Sequence, residues 1–172
     1  MNRGLVHVYT GDGKGKTTAA IGQAVRTNGA GFSVCVMQFL KTHDSGELKS
    51  LEKLGISVIR KETVTGFFNQ LSDEQKETLK GEVEYEFELA KKFLPQYDMV
   101  VLDEIFGAVE NGLVSVSALK RLIRKKPQGT ELILTGRHAP AEIIEVADYV
   151  SEINVIKHPF SAGIPAREGI EF

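Results

Sequence analysis

Cysteine occurs once in the 172 residues, at Cys35. One thiol excludes an internal disulfide and suits a reducing, cytoplasmic compartment. It lies in the apolar run Val34-Cys35-Val36-Met37, which predicts a small buried hydrophobe and not a reactive thiol. The four histidines, His7, His43, His138 and His158, are scattered without the spacing of a zinc site. His7 reads as a core or sheet residue. No serine–histidine or cysteine–histidine arrangement supplies a nucleophile, and no flavin or iron–sulfur motif occurs. No charged leader precedes a long apolar stretch, so the sequence predicts neither a signal peptide nor a membrane span. Charge of one sign is not in excess: the net charge is −2. That balance gives no support to a general nucleic-acid or membrane-surface role.

What is present is concentrated near the start. An apolar run from Leu5 to Tyr9 reads as a buried strand, and Gly11, Gly13 and Gly15 then alternate with Asp12 and Lys14. Lys16-Thr17-Thr18 leads into a helical pattern of Ala19, Ala20, Ile21 and Ala24. Strand, glycine-rich turn and helix form the context of a phosphate-binding loop. Glycines let several N–H groups point inward, and the helix start adds its positive dipole end. Lys16 would reach phosphate oxygens, and the Thr17 hydroxyl would ligate magnesium. The common spacing would place the first glycine at Thr10, but it stands at Gly11, so the loop is one residue tighter than usual.

Further along, residues 33–39 and 56–59 read as strands, with a short helix at Leu48, Leu51 and Leu54 between them. Residues 60–71 lose periodicity and carry Phe67-Phe68 directly after Gly66. Ser72 and Gln75 form a capping-box signature that opens a long helix with Leu79, Val83, Phe87, Ala90 and Leu94 on one face. Pro95 closes it. The solid apolar run Met99 to Leu102 suits a central parallel strand and ends in Asp103-Glu104. Leu119, Leu122 and Ile123 mark another helix, and the basic residues 120, 121 and 124–126 complement its C-terminal end. Residues 131–134 make a strand ending in Thr135-Gly136-Arg137, Pro140 opens a helix, and residues 149–156 read as a last strand. Strands alternating with helices predict one α/β domain over residues 1–172, with a mostly parallel sheet covered on both faces. No repeat, low-complexity stretch or linker interrupts it.

A carboxylate at the carboxyl end of a central strand lies beside such a phosphate loop and helps hold magnesium, which makes Asp103 and Glu104 candidate metal ligands. Arg137 is a candidate phosphate contact or a turn residue, and Arg26 faces either nucleotide or solvent. The chain therefore reads as an ATP- and magnesium-binding protein with no general base or nucleophile of its own.

Several segments, in order, resemble the ATP:corrinoid adenosyltransferases. They are residues 10–18, the strand Val36-Met37-Gln38-Phe39-Leu40-Lys41, Gly66-Phe67, Val100 to Glu104, and Leu134 to Arg137. The tail adds Lys157-His158-Pro159-Phe160, Ala162-Gly163-Ile164 and Gly169-Ile170-Glu171-Phe172. The resemblance implies a RecA-like homodimer that moves the 5′-deoxyadenosyl group of ATP onto cobalt(I) of a corrinoid and releases triphosphate. ATP lies reversed in the loop in that family. By the same resemblance, Gly11, Asp12, Gly13, Lys14, Gly15, Lys16, Thr17 and Thr18 hold phosphates, and Arg26 lies near the nucleotide. Thr17 and Glu104, with Asp103, bind magnesium, and Lys16 and Glu104 are the catalytic pair.

Cobalt(I) is itself a strong nucleophile, so the protein need only align it with C5′ and stabilise charge on the leaving triphosphate. An aromatic loop beginning Gly66-Phe67 would enter the corrinoid site and keep the lower ligand off cobalt. Asn69 stands where the family often has tryptophan, and Phe68 would replace its bulk. Phe67 equally reads as packing beneath its own loop. A separate reductant, a flavoprotein, would supply the electron. Two rival readings stand beside this one: an ordinary P-loop ATPase or kinase, and a non-catalytic ATP sensor.

Overall fold

The computed structural model describes residues 2–61, 63–66 and 68–172. Six strands form one sheet: β1 (Val6–Thr10), β2 (Val34–Gln38), β3 (Ser57–Ile59), β4 (Met99–Asp103), β5 (Glu131–Thr135) and β6 (Tyr149–Glu152). Their order is β3-β2-β4-β5-β1-β6, and every pairing is parallel. Parallel neighbours need crossovers, which helices α1 (Lys16–Gly29), α2 (Gly46–Lys53), α3 (Asp73–Phe93), α4 (Ile105–Glu110), α5 (Val116–Lys125) and α6 (Ala141–Ile144) supply. This is the α/β architecture expected from the alternation of elements.

Side chains alternate between two cores, as the pleat requires. Val34 and Val36 of β2, Met99 and Val101 of β4, and Ile133 of β5 pack with Ala20 and Ala24 of α1. Cys35, Met37, Val100, Leu102, Leu132 and Leu134 pack on the opposite face with Leu79, Val83 and Phe87 of α3 and Leu119 of α5. Continuing that period past the apolar residues places Gln38, Asp103 and Thr135 on the α1 face at the carboxyl ends of three adjacent strands. The register pairs Gln38 with Asp103 directly. All three are fully buried.

The capping box forms as the sequence predicts: the Ser72 hydroxyl accepts from Gln75 N at 3.2 Å, and the Gln75 side chain accepts from Ser72 N at 2.9 Å. Four local readings change. The helix Ile105–Glu110 has no helical periodicity because Ile105, Phe106, Gly107 and Ala108 are all buried, leaving no polar face to mark a period. The last strand ends at Glu152, short of residue 156, because Ile153 leaves the ladder to back the glycine loop. Within residues 60–71, Phe68–Gln70 form a 3₁₀ turn, and Pro159–Ala162 form another in the tail.

Candidate active site

The carboxyl ends of β1, β2, β4 and β5 carry the polar residues, in the position where α/β sheets bind ligands. Beyond β1, residues 11–15 curl against the edge strand. Gly13 N donates to Ile153 O at 2.7 Å and Ile153 N donates to Thr10 O at 2.8 Å. A Cβ on either Gly11 or Gly13 would lie 2.6 Å from Ile153 O, so the alternating glycines are required by this close backbone approach. Gly11 N and Thr10 Oγ1 both donate to Arg137 O, at 2.9 and 2.6 Å, which ties the β5 end to the loop.

The start of α1 is left open. Gly15 is its N-cap, no side chain caps it, and no acidic residue occupies its first turn. Its leading N–H groups are therefore available to an anion, in contrast to the capped start of α3. Lys16 folds back over the loop, its ammonium donating to Gly11 O at 2.6 Å and Gly13 O at 2.8 Å. Burial lowers the Lys16 pKa, and the Glu104 carboxylate nearby works in the opposite direction.

At the second residue of the helix, Thr17 Oγ1 donates to Asp103 Oδ1 at 2.9 Å. Thr135 Oγ1 donates to the same oxygen at 2.6 Å. The other oxygen, Oδ2, accepts from Lys41 Nζ at 2.6 Å and from Gln38 Nε2 at 3.3 Å. Four donors thus surround one buried carboxylate, the condition under which a buried charge is tolerated. Glu104 adopts a left-handed backbone at φ 62°, and its N–H donates to Thr135 Oγ1 at 2.9 Å. Burial raises the Glu104 pKa, the Asp103 carboxylate raises it further, and Lys41, Lys16 and Arg137 oppose the rise.

The structure therefore brings together Gly11, Gly13, Gly15, Lys16, Thr17, Asp103 and Glu104, with Arg137 within electrostatic reach of Lys16 and Glu104. Asp12, Lys14 and Thr18 stand exposed around the loop. Asp12 Oδ1 lies 3.9 Å from His138 Nε2. Arg26 is exposed in the last turn of α1, about 15 Å along the axis from Lys16 at ~1.5 Å per residue. It is not gathered at the loop, and its charge bears on Tyr9. Phe68 is half-buried against the core, with Lys76 Nζ 5.8 Å from its ring centroid. Phe67 lies outside the described residues.

Sequence reasoning gave no role to Lys41, Gln38 or Thr135. A signal exists in hindsight: Gln38 is a polar residue closing an otherwise apolar strand, as Asp103 is, and parallel register sets the two side by side.

A sequence profile of the family described as ATP:corrinoid adenosyltransferase BtuR/CobO/CobP matches residues 2–172. The chain is 38% identical over 175 residues to a corrinoid adenosyltransferase of Sinorhizobium sp, covering 99% of this chain and 81% of that one. It is 36% identical over 173 residues to the corrinoid adenosyltransferase of Escherichia coli K12, covering 99% and 86%. The corrinoid adenosyltransferase CobA of Salmonella typhimurium LT2 is likewise 36% identical over 173 residues, with the same coverage. A match that runs through the loop, the buried carboxylate and the tail leaves no segment unaccounted for: the chain belongs to the ATP:corrinoid adenosyltransferase family, a family of transferases.

Proposed function

We propose that this chain, as a single RecA-like domain, transfers the 5′-deoxyadenosyl group of ATP to cobalt(I) of a corrinoid and releases triphosphate. One observation carries the reading: an uncapped helix start with Lys16 and Thr17 abuts Asp103 and Glu104, in a chain that matches the family over residues 2–172. The electron pair of cobalt(I) forms the bond to C5′, and the C5′–O bond breaks. Its electrons leave on the triphosphate, and cobalt ends as cobalt(III). No protein nucleophile is needed.

The protein's work is electrostatic and geometric. Backbone N–H groups of residues 11–18 face the polyphosphate, which lies reversed in the tight loop. Lys16 exchanges the carbonyls of Gly11 and Gly13 for phosphate oxygens, with Lys14, Thr18 and Arg137 around them. Magnesium fits the donor set. Thr17 and the two carboxylates offer only oxygen, and the buried Gln38 Oε1 has no partner among the described residues. No group of three or more His, Cys, Asp or Glu side chains among the described residues holds an ion unaided, so the polyphosphate completes the set. When bound, the metal neutralises charge growing on the leaving group. Glu104 and Asp103 supply the carboxylates, and Asp103 also positions Thr17 by accepting its hydroxyl. Phe67 and Phe68 close the lower face of the corrinoid.

The protein works in the cytoplasm as a homodimer, with a flavoprotein supplying the electron. No helix among the described residues is long and apolar enough to cross a membrane. Exposed apolar residues on β6 and the tail, including Tyr149, Val150, Ile156 and Phe160, support the dimer by offering it contact area. The test is incubation with magnesium, ATP and chemically reduced cobalamin in the dark, followed by absorbance. A light-sensitive cobalt–carbon product supports the reading. Orthophosphate formed without corrinoid supports an ATPase, and binding without turnover supports a sensor.

A further inference from the structure

Two non-glycine residues among those described have a left-handed backbone, Leu40 at φ 57° and Glu104 at φ 62°. Such backbone is unfavourable for a residue with a Cβ and gathers where function fixes a direction. Both residues lie just beyond adjacent strands, β2 and β4, and both border one glycine. A Cβ on Gly107 would stand 3.0 Å from Glu104 Oε1 and 3.2 Å from Leu40 Cδ1. The turn at Glu104 presents a carboxylate. The turn at Leu40 presents Lys41.

The ammonium of Lys41 donates to Asp103 Oδ2 at 2.6 Å and to Thr17 Oγ1 at 3.3 Å. It thus bridges the hydroxyl and the carboxylate that a divalent cation would use. Its backbone is held from β3's end: Arg60 Nε donates to Lys41 O at 3.2 Å, and Arg60 Nη2 donates to His43 O at 2.7 Å. The side chain keeps 26% of its surface exposed while Asp103 has none, so Lys41 can leave and Asp103 cannot.

We propose that Lys41 is the resident cation of this oxygen cluster. It neutralises Asp103 in the nucleotide-free protein, keeps divalent metal out until the nucleotide arrives, and then turns to the polyphosphate as a cation beside Lys16. The proposal rests on the nucleotide reading above. Two cations at hydrogen-bond distance from one carboxylate repel strongly in a buried site. Metal entry therefore needs the negative charge of a polyphosphate, which also gives the displaced ammonium a new partner. Metal and nucleotide affinities are coupled through this one side chain. A purely structural ion pair would instead lower stability on substitution and leave metal affinity unchanged.

The test titrates Mn²⁺, an oxygen-preferring stand-in visible by electron paramagnetic resonance, into nucleotide-free protein. Lys41→Met is expected to bind Mn²⁺ at least tenfold more tightly than wild type. Adding Asp103→Asn should abolish that gain, and Lys41→Arg should behave as wild type. Equal or weaker Mn²⁺ binding by folded Lys41→Met, with folding checked by circular dichroism, overturns the proposal. If that variant unfolds, the same titration on Lys41→Gln decides. Equilibrium dialysis of ATP on wild type tests the underlying reading separately. Failure to bind ATP would overturn the nucleotide reading, while the metal titration, which contains no nucleotide, still judges Lys41.

Discussion

The hydroxyls of Thr17 and Thr135, from a helix and a strand 118 positions apart in sequence (135 − 17), converge on the same oxygen of Asp103 at 2.9 and 2.6 Å. The convergence fixes the loop-to-helix corner against the sheet. Thr135 also accepts the Glu104 N–H, so it serves both acidic residues. Thr135→Val keeps the shape and removes both bonds, leaving a buried N–H without its acceptor. Its expected cost is about 1–3 kcal/mol of stability, read from urea unfolding midpoints. Thr135→Ser should recover most of the loss. A Thr135→Val midpoint equal to wild type would show that the network does not hold the corner.

Glu104 makes stability depend on pH in a definite direction. Its folded pKa lies above the ordinary glutamate value of 4.5, chiefly through burial. Between those two values the folded state binds more protons than the unfolded state, so stability falls as pH rises through that window. Above it the penalty is fully present. Glu104→Gln removes the ionisation and should raise the melting temperature at pH 7 relative to wild type, with the difference vanishing below pH 4.5. The same variant should raise the magnesium requirement, because it keeps the shape but loses a ligand charge. Parallel pH–stability curves would contradict the assigned environment.

Gly13 is constrained by the edge strand behind it, since a Cβ there would lie 2.6 Å from Ile153 O and 2.8 Å from its Cγ2. Gly13→Ala should cost about 1–3 kcal/mol through overpacking and shift the loop off β6. Calorimetry and ATP dialysis on one preparation should therefore show both a lower melting temperature and weaker nucleotide binding. Unchanged values of both would mean that the loop is free to move.

Most of the fold was legible because its strands are apolar runs and its long helix carries its own cap. Val34 to Met37 and Val100 to Leu102 declare buried parallel strands without any tertiary information, and Ser72 with Gln75 declares a helix start. The helix after Glu104 was illegible because burial all round erases period. The loop and Asp103 were visible as a local motif and a strand end. Lys41 was not, because its meaning depends on strand register with a partner 62 positions away and on a left-handed turn at Leu40. Neither is encoded in a window of neighbouring residues.

Phe67 gives a kinetic prediction. If its ring excludes the lower ligand of the corrinoid, Phe67→Ala should sharply slow turnover that starts from cobalt(II) and a weak biological reductant. Starting from cobalt(I) made chemically, the loss should be much smaller. Equal losses in both assays with a lower melting temperature would identify a packing residue.

Cys35 is fully buried, and burial pushes its thiol pKa up to about 12. It should resist a disulfide reagent at pH 8 in the native protein and react at once in denaturant. Rapid modification of native protein would contradict the packing of β2.

The proposed reaction cleaves ATP between C5′ and its oxygen, with Lys16 stabilising the departing triphosphate. Phosphorus-31 spectra of the dark reaction with magnesium, ATP and cobalt(I) corrinoid test it directly. Intact triphosphate should accumulate in equal amount to the light-sensitive cobalt–carbon product. Lys16→Ala should slow both together by at least about tenfold, equivalent to ~1.4 kcal/mol of transition-state stabilisation. Orthophosphate or pyrophosphate as the first product, or undiminished turnover by Lys16→Ala at saturating ATP, would contradict the account.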